Sequence, residues 1–144
     1  MIPKLVNYEE QVTENDINNF ELKYCIKLPK EYKEFLLETN GGMTDSQYFE
    51  FKANWDYVVG VTFFSLVELK NKIVYYGSPY YDTPENIFPI AEDQAQNLIC
   101  ISLKAEDYGK IYLWEAQFVE EIPDYSNIFF ISNTLDELFQ QIKS

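Results

Sequence analysis

The stretch Leu28–Gly42, "LPKEYKEFLLETNGG", is punctuated like one complete helix. Pro29 suits the first helical position, where its missing N–H costs nothing and its fixed φ is already helical. Leu28, Tyr32, Phe35 and Leu36 recur at i, i+4, i+7 and i+8, an apolar stripe for burial. Lys30, Glu31, Lys33 and Glu34 fall on the wet side, and Gly41 or Gly42 can supply the left-handed residue that stops the helix. The stretch holds no His, Ser or Cys, so it reads as scaffold.

Working outward, "VTENDINNFELKY" announces a preceding helix. Thr13 is the candidate N-cap and Asp16 stands at N3, a weak capping box, with Val12 and Ile17 at the hydrophobic-staple positions. The link "YCIKLP" is short enough that the two helices must pack as a pair. Downstream, "QYFEF" and "YVVGVTFF" are rich in aromatic and β-branched residues and read as strands. "SLVELKNKIVYYGSP" is another helix. Ser65 and Glu68 form its capping box, Leu66, Leu69, Ile73 and Tyr76 line one face, and Gly77 and Pro79 stop it. Three strands follow in "IFPIA", "NLICISL" and "KIYLWEA", the last two joined by "KAEDYG" as a hairpin turning at Gly109. "NIFFIS" is a final strand. Thr134 and Glu137 then cap a closing helix with Leu135, Leu138, Phe139 and Ile142 on its face. This order is α+β, with the strands expected in one twisted, largely antiparallel sheet.

The chain has 144 residues, and residues 1–144 are expected to form a single domain large enough for an unstapled core. Its two cysteines, Cys25 and Cys100, lie far apart in apolar surroundings and read as reduced core residues rather than as a disulfide or a reactive thiol. The opening "MIPKLVNYEE" lacks the layout of a signal peptide, and no apolar run reaches the roughly 20 residues that span a bilayer. The expected location is the cytoplasm, with no membrane partner. The net charge of −13 repels nucleic acid and anionic lipid and would speed encounter with a basic protein. The same charge would also serve solubility alone.

The sequence is as informative in what it lacks. It contains no histidine, which removes the usual Ser-His-Asp and Cys-His systems and the usual zinc sites. Gly109-Lys110 lacks the rest of a phosphate loop, and no GxGxxG occurs. "DQAQN", residues 93–97, loosely resembles a calcium loop but lacks the central ligand, the Gly and the distal Glu. No metal or other cofactor is expected. The many carboxylates would make a hydrolase only if two faced one cleft; a solvated acidic surface accounts for them. Tyr80, Tyr81 and Asp82 fall in a Pro-flanked loop, and loop aromatics beside acids serve either as partner anchors or as cover for a core edge.

Taken in series, these motifs resemble the SUKH superfamily, the Smi/Knr-like proteins. Leu28, Pro29, Tyr32, Phe35, Leu36, Asn40, Gly41 and Gly42 fit that family's N-terminal signature. "FPIAEDQAQNLICISL", "GKIYLWE" and "ISNTLDELFQQI" are similar to its later strands and closing helix. Gln94, Ala95 and Gln96 stand where the family's loop is usually Gly-rich. The resemblance implies an α+β domain that acts by binding rather than catalysis. Bacterial members look like immunity proteins that neutralise toxins, often nucleases, of polymorphic or contact-dependent systems; fungal relatives resemble signalling scaffolds. The expected partner is therefore a basic toxin domain, with an intracellular adaptor role and a carboxylate-only hydrolase as the other readings. Tyr80, Tyr81, Asp82, Glu92 and Asp93 are the candidate partner contacts, because they fall in loops at strand ends.

Overall fold

A computed structural model describes residues 5–6, 9–44, 48–50, 57–59, 61–76, 86–93, 97–115 and 128–143. The first helix, α1 (Glu14–Tyr24), starts as its sequence dictates. Thr13 is the N-cap, its Oγ1 accepts the Asp16 N–H, and the Asp16 carboxylate accepts the Thr13 N–H. It ends at Cys25, a left-handed residue with φ 55°. That corrects the reading of Cys25 as core: a left-handed C-cap turns its side chain out and it is exposed, whereas Cys100 is buried.

Helix α2 (Lys30–Glu38) is the opening stretch. Pro29 has an extended ψ of 144° and is the N-cap, one position before its expected place. The two helices are tied through one carboxylate: Glu21 of α1 accepts the Leu28 N–H at 2.7 Å and pairs with the Lys33 ammonium at 3.7 Å. Glu31, on the expected wet side, instead reaches across to accept the Leu135 N–H at 2.6 Å at the start of α4 (Leu135–Gln140). A carboxylate at a helix N-terminus satisfies an orphan donor and complements the helix dipole.

The glycines do not stop α2 as expected. Its C-cap, Thr39, is extended, and Asn40 and Gly41 have another task. Asn40 is buried; its Oδ1 accepts the Leu66 N–H and its Nδ2 donates to the Glu10 carbonyl. Gly41 has φ 78°, and a Cβ there would meet the Phe63 carbonyl oxygen at 2.5 Å. The end of α2 is thus locked onto the start of α3 (Leu66–Tyr76), where Ser65 and Glu68 form the expected reciprocal capping box. Gly77 and Pro79 lie outside the described residues.

Among the described residues ten strands form two antiparallel sheets rather than one. The larger has the order β1 (Leu5–Val6), β2 (Gly42–Thr44), β5 (Thr62–Phe63), β6 (Ile87–Glu92), β7 (Leu98–Ser102), β8 (Ile111–Trp114) and β9 (Ile128–Ser132). The smaller joins β10 (Ile142–Lys143), β3 (Tyr48–Glu50) and β4 (Tyr57–Val59). "YVVGVTFF" is therefore split between sheets, because the Val61 carbonyl accepts both the N–H and the hydroxyl of Thr44 and draws the chain onto β2. Ile142, expected on the last helix, pairs with Phe49 as a strand residue. Pro89 is tolerated inside β6 because the ladder shifts register between Pro89 and Ala91.

Phe35 meets Phe63 and Phe139 at ring distances of 5.4 Å, and Phe20 meets Phe88 at 6.4 Å, so α1, α2 and α4 cover one sheet face. Tyr32, Phe35 and Leu36 are buried with Ile99, Ile101, Ile111 and Leu113, as their periodicity predicts. Leu98 and Cys100, on the other face of β7, are buried too, which explains the unbroken apolar run of that strand. Tyr32 is fully buried and its hydroxyl has no hydrogen-bond partner among the described residues; burial pushes its pKa up. Tyr32→Phe is therefore expected to raise stability by about 1 kcal/mol, because it removes a desolvated, unpaired group. Urea unfolding checks this, and a loss of stability would show that the hydroxyl is paired.

Candidate functional site

The register of the larger sheet places Val6 against Met43, Met43 against Thr62, and Thr62 against Glu92. Side chains alternate along each strand, and Phe63, the neighbour of Thr62, faces α2. Val6, Met43, Thr62 and Glu92 therefore share one row on the face away from α1, α2 and α4, and the row runs on from Glu92 through Leu98 and Trp114, which are buried. Val6 is 38% and Met43 51% exposed, while Thr62 and Glu92 are half-buried. An apolar pair beside a carboxylate on an accessible face has the make-up of a protein-binding patch.

Glu92 is the last residue of β6 and Asp93 follows it, but Asp93 has an internal role. Its N–H donates to the Asn97 carbonyl, its Oδ1 accepts the Asn97 N–H at 2.9 Å, and its Oδ2 accepts from Asn97 Nδ2 at 3.1 Å. This clasp ties the end of β6 to the residue before β7. Among the described residues no cluster of three or more His, Cys, Asp or Glu side chains could hold a metal ion. Tyr80, Tyr81, Asp82 and the Gln94–Gln96 segment lie outside the described residues.

Sequence reasoning missed Val6 and Met43, since neither β1 nor β2 was read as a strand. One signal was available: Met43 sits between Gly42 and a threonine, and a flexible thioether at an exposed strand position is suited to an adaptable contact surface.

A second polar cluster sits at the β7–β8 hairpin. After a short 3-10 turn, Ala105–Asp107, the Asp107 carboxylate accepts hydrogen bonds from the hydroxyls of Ser102 and Tyr112, and Lys104 lies 3.9 Å away. Partial burial alone would raise the Asp107 pKa. The two hydroxyls, with Lys104 and Lys110, outweigh it and hold the carboxyl below its ordinary value of 3.8. In acid the unfolded chain thus takes up the proton first. The stabilisation is whole above 3.8 and is lost as pH falls through the folded value. Asp107→Asn is expected to flatten this acid limb of a stability-against-pH curve; an unchanged limb would remove Asp107 from that role. The cluster ties the two strands of the β7–β8 hairpin together.

Among the described residues no helix is long and apolar enough to cross a membrane. A search of curated proteins found no match. The model of the SMI1 / KNR4 family (SUKH-1) matches residues 11–141, a span that includes helices α1 to α4 and the run from β2 to β9, and the chain belongs to that family.

Proposed function

We propose that this chain is a non-catalytic immunity-type protein that acts in the cytoplasm and neutralises a basic toxin domain, such as a nuclease, of a polymorphic or contact-dependent toxin system. The observation that carries this reading is the row Val6, Met43, Thr62 and Glu92, with its apolar pair exposed, on a chain of net charge −13. Family membership supports a role in protein binding. An acidic surface speeds encounter with a basic partner, and the apolar pair supplies contact area that charge alone does not. Tyr80, Tyr81 and Asp82 remain proposed contacts alongside Glu92, with Asp93 as the residue that shapes the turn.

The test is co-expression with the toxin domain encoded beside this chain, followed by binding kinetics. Rescue of growth and a stoichiometric complex are expected; neither rescue nor binding would sink the immunity reading for that pair. Association should slow steeply with salt while dissociation changes less. Tyr80→Ala or Tyr81→Ala should quicken dissociation by an amount worth at least about 1 kcal/mol if either ring is an anchor.

A further inference from the structure

A groove of about 620 Å³ opens between the α1–α2 link and the β7–β8 hairpin, and neither Glu92 nor Asp93 lines it. Its wall is apolar, built from Ile26, Leu28, Leu103 and the ring of Tyr108. Its charge is opposite to that of the chain as a whole. Lys27, Lys30 and Lys33 line it, three of only 11 basic residues, and none of the described acidic residues does.

The groove is held open by bonds of its own. The Tyr108 hydroxyl donates to the Lys27 carbonyl and straps the hairpin to the interhelical link. On the other side the Leu103 N–H donates to the carbonyl of Asn86, a residue in the left-handed region at φ 68°. Of the three ammonium groups, that of Lys33 is engaged by Glu21 at 3.7 Å. Lys30 is 3.8 Å from Glu34, but both side chains are largely exposed, and such a pair is weak enough to exchange for a ligand.

We propose that this groove is a binding site for a small amphipathic anion, an apolar chain or ring ending in a carboxylate, held by Lys27 and Lys30. Charge and size select this occupant. An acidic protein or a nucleic acid would meet the repulsion of the whole chain at net charge −13. A small monoanion feels mainly the lysines within a Debye length of about 8–10 Å. The volume falls in the roughly 300–1,000 Å³ range of small-molecule sites.

Cys25 lines the groove and is exposed, while Cys100 is buried, so the natural chain carries its own reporter. The experiment follows the rate at which iodoacetamide, a neutral reagent, modifies Cys25, with decanoate or decyltrimethylammonium present at matched concentrations. Decanoate is expected to slow the reaction in a saturable way and decyltrimethylammonium to leave it unchanged. In the Lys27→Glu, Lys30→Glu double variant, about tenfold more decanoate should be needed for the same protection. Equal protection by the two amphiphiles, no protection by either, or an unchanged decanoate requirement in the double variant would each overturn the proposal.

Discussion

Gly41→Ala is expected to cost about 2–5 kcal/mol of folding stability, read from the midpoint of a urea unfolding curve. Two effects add. The backbone at Gly41 has φ 78°, a conformation that strains any residue with a Cβ. The new methyl would also lie 2.5 Å from the Phe63 carbonyl oxygen and 2.7 Å from the Ser65 nitrogen. These are backbone atoms at the β5–α3 junction and cannot swing aside like the tip of a side chain. Gly109→Ala is the internal control. Its φ of 89° is similarly strained, but nothing lies within 4 Å of the Cβ position, so only the conformational cost of about 1–2 kcal/mol is expected. Equal losses at the two positions would show that close approach at Gly41 carries no energy. Asn40→Ala should behave like Gly41→Ala, by about 2–4 kcal/mol, because it leaves the Leu66 N–H and the Glu10 carbonyl without their partner.

The helix starts were legible because capping is local chemistry. Thr13 with Asp16 and Ser65 with Glu68 lie three residues apart, and each pair closes as read. The stripe of Tyr32, Phe35 and Leu36 was legible for the same reason, since a helical period needs no knowledge of the partner surface. What escaped was set by distant contacts. The Asn-Gly-Gly end of α2 looked like a helix stop, yet Asn40 bonds residues 26 and 30 positions away. Glu31 looked solvated, yet its carboxylate caps a helix 104 residues on. The division into two sheets depends on Thr44 reaching Val61, and Ile142 left its helix to pair with Phe49. At the candidate surface, Glu92 was read at a strand end, and it is the last residue of β6. Val6 and Met43 were not, because strands of two and three residues carry too little alternation to be read.

Met43→Lys is expected to weaken binding to the cognate toxin domain at least about 30-fold, mainly through faster dissociation, while leaving the unfolding midpoint unchanged. Met43 is 51% exposed, so the fold loses little when it is replaced. Its position between Val6 and Thr62, in the row that also holds Glu92, places the new positive charge where the proposed basic partner would dock. Leu22→Lys is the matched control. Leu22 is 77% exposed on α1, the helix whose Phe20 meets Phe88 on the opposite face of the sheet. The deciding measurement is the dissociation rate of both variants from the same toxin domain, identified by growth rescue. The outer row of the sheet as the binding surface predicts fast release from Met43→Lys and unaltered release from Leu22→Lys. Unaltered release from Met43→Lys, or loss confined to Leu22→Lys, would contradict it.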